Sequence, residues 1–166
     1  MPDICIGIDP GLHGGIVVLN ADGGIEYKCE MPVQAIGKRK KVDGGAVHCV
    51  LYCASGPAFI VIEKQQPFPK QGGVSNFTTG RGYGALETVL EILNEPWEAV
   101  RPQVWKKAMG VVGTGAAGKR AAAVVARRLW PHEEWLQQKN PHDGMVDALL
   151  IAEYARRLHV STKGEA

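Results

Sequence analysis

The 166-residue sequence predicts an α/β domain on a mixed five-stranded sheet, an antiparallel meander followed by parallel strands, flanked by helices. Three observations lead there. The segment DICIGID at residues 3–9 alternates and then fills with apolar side chains before the turn Pro10-Gly11, the pattern of a buried strand. The segment AFIVIEK at residues 58–64 is a continuous, largely β-branched run of the kind covered on both faces, which reads as a strand parallel to the first and beside it. Asn140 and Pro141 suit the N-cap and first position of a terminal helix over 141–158, with an apolar stripe that includes Met145, Leu149, Ala152 and Ala155.

The remaining elements fall between these. Residues 15–20 (GIVVLN) and 24–31 (GIEYKCEM), joined by the turn Ala21-Asp22-Gly23, complete the meander. Asp43 is a suitable N-cap for a crossover helix over 43–54. From Lys64 to Gly84 the composition turns to Gln, Pro, Gly, Ser, Asn and Thr, which predicts a functional surface loop beginning beside Glu63. Residues 84–94 are amphipathic and helical, 98–101 form a short strand, and 119–129 form an Ala/Val/Arg helix opened by the glycine run 113–118. The expected organisation is one domain over residues 1–160 and a flexible tail over 161–166.

Composition narrows the class. With 45% apolar and 22% charged residues and no apolar run long enough for a bilayer, the chain reads as a globular protein without a membrane partner. The opening Met1-Pro2-Asp3 runs directly into an apolar strand with no basic leader, so a cytoplasmic location is expected, bacterial or, for a phage-encoded chain, that of the host. Cys5, Cys29, Cys49 and Cys53 lack a disulfide-framework spacing and are expected to be reduced thiols. Net charge is 19 minus 17, or +2, which neither demands nor excludes a polyanionic partner; the basic run Lys38, Arg39, Lys40 and Lys41 becomes informative only if the fold gathers cations on one face.

The acids carry the chemistry. Asp9 ends the first strand and Glu63 the strand expected beside it, so parallel pairing sets two carboxylates at one edge of the sheet. Asp143 and Asp147 are four apart on the terminal helix, which stacks them on one face within about 6 Å. The helix N-terminus offsets their repulsion by roughly 0.3–1 kcal/mol per charge, and a divalent cation with hard oxygen ligands offsets it far better. Singly, Asp9 is an ordinary turn former and Glu63 an ordinary partner for Lys64. Jointly, a carboxylate at the exit of so hydrophobic a strand requires a specific partner, and four converging acids suit a two-metal site for in-line phosphodiester displacement.

The opening IGIDPGLHGGIVVLN, the segment FIVIEKQ, the stretch SNFTTGRGYGALE, the pair VRPQVWKK and GTGAAGK, and the closing PHDGMVDALLIAEYA together resemble the RuvC-type Holliday-junction resolvases, in order and over most of the chain. The opening alone is weakly specific, since actin-like ATPases and sugar kinases begin similarly. The resemblance implies a ribonuclease-H-like fold, a homodimer, and symmetric nicking of four-way DNA junctions, or other branched DNA, with two Mg²⁺ ions per site or Mn²⁺ in their place. By matching position it assigns Asp9, Glu63, Asp143 and Asp147 as catalytic metal ligands. It adds Arg81, Lys106, Lys107 and Lys119 as phosphate contacts, with Lys119 also a candidate at the scissile phosphate, beside Lys70 in the loop.

Two departures stand out. Many members space their last two ligands by three residues, whereas Asp143 and Asp147 are four apart, and His142 beside them is a further candidate ligand or water-orienting base. Several members carry an aromatic three residues after the strand-end Glu; here that position is Gln66, and Phe68 is the nearest residue able to stack on a base. Residues 113–119 meet the spacing of a phosphate-cradling loop, but Arg120 replaces the Ser or Thr that would bind Mg²⁺. The alternatives are a same-fold nuclease acting on flaps, forks or RNA–DNA hybrids, and a non-catalytic junction-binding module. Leu86, Val89, Leu90 and Leu93 on the 84–94 helix are the expected dimer seam, with core packing as the competing explanation.

Overall fold

The computed structural model describes residues 3–54, 56–66 and 72–161. Strands β1 (Ile4–Asp9), β2 (Gly15–Asn20) and β3 (Ile25–Glu30) form the antiparallel meander. Strand β6 (Ala58–Glu63) pairs with β1 in parallel, and β7 (Trp97–Val100) pairs in parallel with β6, giving the order β3-β2-β1-β6-β7. The register is decisive for the site. Ile8 lies opposite Ile62, so the next residues, Asp9 and Glu63, leave the sheet at the same level.

Both faces of the sheet are covered, as the apolar runs require. Ile4, Ile6, Ile8, Ile16, Ile60 and Ile62 point into one layer with helices α1 (Gly44–Cys53) and α2 (Gly73–Leu93). The alternate side chains Cys5, Val17, Leu19 and Val61 point into a second layer with α3 (Pro102–Ala108), α4 (Gly115–Leu129), the short α5 (Glu134–Gln137) and α6 (Asp143–Ser161). Each fully buried Ile or Leu contributes roughly 1.5–3 kcal/mol, so the two layers hold the strand ends firmly.

Helix α6 lies across β1 and β2 at backbone contact. A Cβ on Gly7 of β1 would overlap the backbone of Ala148 and Ala152, and a Cβ on Gly144 would overlap that of His13 and Gly14. Only glycine permits this approach. It brings the first turn of α6 over the β1–β2 turn, beside the end of β1. Farther along α6, the buried Glu153 is hydrogen-bonded by Arg156 and Arg157 at 2.7–3.0 Å; burial raises its pKa, and the two guanidiniums outweigh that and hold it below the ordinary glutamate value.

Three expectations need correction, and a hairpin stands where no element was expected. Residues 73–84 are helical, so α2 is 21 residues long where a polar loop was expected. Strands β4 (Val33–Ile36) and β5 (Arg39–Val42) form a hairpin over the basic run, turning at Gly37 with φ 58°. Helix α6 begins at Asp143, and its cap is His142, whose ring Nδ1 accepts from the Met145 N–H at 3.2 Å, in place of Asn140. It runs through Ser161, the first residue of the expected tail; residues 162–166 lie outside the described residues. Asp43 does cap α1, accepting from the Ala46 N–H at 3.1 Å.

The expected dimer seam is also core. Leu86, Val89 and Leu90 are at most 7% exposed and pack under the sheet, with Leu93 partly buried beside them. They are unavailable to a partner. All four cysteines are free thiols, and among the described residues no helix is long and apolar enough to cross a membrane.

Candidate active site

Three elements deliver acids to one place. β1 ends at Asp9, β6 ends at Glu63, and the first two turns of α6 carry Asp143 and Asp147. Asp9 and Asp147 line a cleft of about 720 Å³ with Lys119, His142 and Asp143. The Asp9 carboxylate accepts a bond from the Gly11 N–H at 3.3 Å, and Glu63 Oε2 accepts one from the Trp105 indole at 2.8 Å.

The acids sense one another. Burial, then the charges of Glu63 and Asp147, pushes the Asp9 carboxyl up to about 7 against the weaker opposition of the Gly11 hydrogen bond and Lys106. Asp147 is pushed up to about 6, chiefly by burial, with Glu63 and Asp143 adding to the rise while Lys106 and Lys119 oppose it. Burial also raises Glu63, partly offset by the Trp105 hydrogen bond and by Lys106. Negative charge is thus concentrated where water is scarce, the condition under which a hard cation binds carboxylate oxygens best. Among the described residues no three Asp, Glu, His or Cys side chains close around a single point as a finished metal cage; shared charge is what couples these four. The donor set fits Mg²⁺ or Mn²⁺, being all carboxylate oxygen.

Two lysines stand in for positive charge. Lys119 Nζ lies 2.8 Å from Asp143 Oδ2, and the hydrogen bond and charge of Asp143 raise the lysine pKa. Both side chains are more than half exposed, so the pair itself adds little stability. Lys106 lies 5.1 Å from the centroid of the Trp105 ring and lowers the pKa of Asp9, Glu63 and Asp147.

The expected residues therefore divide. Asp9, Glu63, Asp143, Asp147, Lys106 and Lys119 are brought together. His142 stands at the same cleft, but its Nδ1 is engaged in capping α6 and its Nε2 is 3.7 Å from Glu30. Lys107 lines, with Lys106, Pro102 and Gly110, a hollow distinct from the acid cleft, and of the two lysines it is Lys106 whose charge reaches the acids. Arg81 lies elsewhere, on α2 beside the β4–β5 hairpin. Phe68 and Lys70 lie outside the described residues. Sequence reasoning missed Trp105 as a site residue, although its place among the polar residues of VRPQVWKK was a signal: a buried indole requires an acceptor for its N–H.

No protein-family model and no curated protein matches the chain in sequence. Solved structures do match it in shape. Thermus thermophilus RuvC in complex with a Holliday junction substrate superposes with a TM-score of 0.66 at 20% identity, covering 97% of this chain and 96% of that one. A second Thermus thermophilus RuvC structure gives 0.56 at 21% identity with the same coverage. The chain has the RuvC-like, ribonuclease-H-like fold: a mixed five-stranded sheet with helices on both faces.

Proposed function

We propose that residues 1–160 form one nuclease domain that nicks four-way DNA junctions in a divalent-metal-dependent reaction, with paired, symmetric cuts made by a homodimer. The observation that carries this reading is the meeting of Asp9, Glu63 and Asp147 from two parallel strand ends and one helix start, where burial, with the neighbouring acids adding to it, lifts Asp9 and Asp147 well above ordinary aspartates. The likeness to a resolvase fold supports the junction as substrate.

Asp9, Glu63, Asp143 and Asp147 would hold the divalent ions. When bound, these supply Lewis acidity, activating a water for in-line attack on phosphorus and stabilising the leaving 3′ oxygen. The chain's own residues do the rest. Trp105 holds one oxygen of Glu63 by its N–H. Lys119, more than half exposed at the cleft, contacts the phosphate that carries the cut bond, exchanging its Asp143 partner for a phosphate oxygen. Lys106 holds charge beside the acids from the side of α3 and binds the backbone without reading bases.

The test uses the purified chain on a synthetic four-way junction, a replication fork and an RNA–DNA hybrid, each with Mg²⁺, with Mn²⁺ and with EDTA. The expected result is symmetric nicking of the junction with either ion and none with EDTA. Cleavage of the hybrid or fork in preference to the junction would assign another substrate to the same site, and cleavage in EDTA would remove the metal.

A further inference from the structure

Two cysteines sit where cysteines are rarely found. Free cysteine is among the most buried residue types, and Cys5 and Cys29 follow that rule, one buried and the other partly so. Cys49 and Cys53, on α1, are both exposed. They stand four residues apart, so their side chains share a helix face at about 5–6 Å between Cβ atoms. Both line one pocket of about 470 Å³ between α1 and β3, walled by Val18, Val50 and Ala54 and by the Tyr27 side chain. Core packing does not explain them: the residues that α1 buries are Val47 and Leu51.

The pocket's chemistry narrows its ligand. No lysine or arginine lines it, and its one charged side chain is Glu26, so its field favours a cation over an anion. Cys29 is already engaged, receiving the hydrogen bond of the Tyr27 hydroxyl. Two thiols are left. A disulfide between them requires Cβ atoms about 3.5–4.5 Å apart, closer than one helical turn places them, so it would unwind the end of α1. A bridging ion adds two metal–sulfur bonds, each about 2.3 Å for zinc, and spans the turn without moving the backbone. Among the described residues no three side chains form a finished cage, which disfavours Zn²⁺, an ion that takes four ligands. Soft Cu⁺ accepts two thiolates alone.

We infer that Cys49 and Cys53 form a two-thiolate site for a soft monovalent cation, Cu⁺, which clasps the last turn of α1. On binding, the two S–H protons pass to solvent as two Cu–S bonds form, and no atom changes oxidation state. The pocket shares no residue with the acid cleft. The inference therefore stands independently of the proposed nuclease activity.

The experiment titrates the reduced chain with Cu⁺, kept in that state by ascorbate without oxygen, in competition with a chromogenic Cu⁺ chelator. Excess Mg²⁺ is present to supply the carboxylates with a hard ion. The wild type is expected to take one Cu⁺ per chain. Cys49→Ser and Cys53→Ser should each lose about a hundredfold in affinity, the advantage of a second tethered donor, and Cys29→Ser should bind as the wild type does. Cu⁺ should also raise the melting temperature of the wild type and of neither single variant. Both substituted positions in α1 are exposed, and matching metal-free melts establish that the variants fold. Failure of the wild type to take Cu⁺ from the chelator would overturn the inference, as would wild-type affinity in Cys49→Ser or Cys53→Ser. A loss in Cys29→Ser equal to that in Cys49→Ser would overturn the two-thiolate assignment. One ion per two chains, with pairing of chains on copper addition in sedimentation, would overturn it in favour of a bridge between copies.

Discussion

The Trp105 indole N–H donates to Glu63 Oε2 at 2.8 Å, and the ring that makes this bond is fully buried between α3 and the sheet. A single side chain thus anchors α3 in the core and fixes one candidate metal ligand. Trp105→Phe keeps most of the ring and removes the donor. It should cost about 1–3 kcal/mol in urea denaturation, from the cavity and the unsatisfied carboxylate oxygen, and weaken Mg²⁺ binding by calorimetry. Unchanged Mg²⁺ affinity would mean that the indole serves packing alone.

Asp9 predicts a pH dependence of known sign. Its carboxyl titrates near 7 in the fold against an ordinary 3.8, so the folded chain holds this proton more tightly than the unfolded chain does. The resulting stabilisation is fully present below the ordinary value and is lost as pH rises through the folded one. Asp147, raised to about 6, acts in the same direction. Without metal, the melting temperature should therefore fall between about pH 4 and pH 7 from these two groups. Asp9→Asn should flatten that fall and raise metal-free stability at pH 8 by about 1–2 kcal/mol while abolishing nicking. A variant less stable than wild type at pH 8 would contradict the assigned repulsion.

Divalent metal should reverse that penalty. At one hundred times its dissociation constant, Mg²⁺ should stabilise the wild type by about 2.7 kcal/mol at pH 8, and Asp147→Asn far less. Equal thermal shifts in both proteins would place the ion elsewhere.

Lys119→Ala separates binding from chemistry. If Lys119 acts at the scissile phosphate, single-turnover nicking should drop about a hundredfold, whereas junction affinity in EDTA should fall no more than about threefold, the share of one exposed phosphate contact. Equal losses in both would make Lys119 a tether only.

Gly144→Ala tests the seat of α6. The added methyl overlaps the backbone of His13 and Gly14, which cannot rotate away, so a loss of about 3 kcal/mol or more is expected by denaturation. A melting temperature unchanged from wild type would disprove the close contact.

The parts of the fold legible in sequence were those where burial is two-sided. Ile4, Ile6, Ile8 and Ile60, Val61, Ile62 identify β1 and β6 because such β-branched runs suit little else, and with the strands come Asp9 and Glu63 at their ends. The N-terminal half of α2 was illegible because Gly73, Gly80, Gly82 and Gly84 interrupt it and its exposed residues show no apolar stripe; helix is set there by the fold around it. The strands of the β4–β5 hairpin are only four residues long, and β5 (RKKV) carries three charges where a strand pattern would show apolar alternation. At the site, the carboxylates were visible from their spacing, whereas the Trp105 bond joins residues 42 positions apart and depends on how α3 meets the sheet.

Because α6 rests on β1 and β2 through main-chain atoms at Gly7 and Gly144, the distance between its acids and Asp9 is set by bare peptide, not by the volume of intervening side chains. Volume-conserving exchange among the isoleucines in the opposite layer should disturb that spacing little, while one additional carbon at either glycine would pry the carboxylates apart. Anyone recasting this scaffold for a new reaction inherits a ruler that admits repacking of equal volume and no shim.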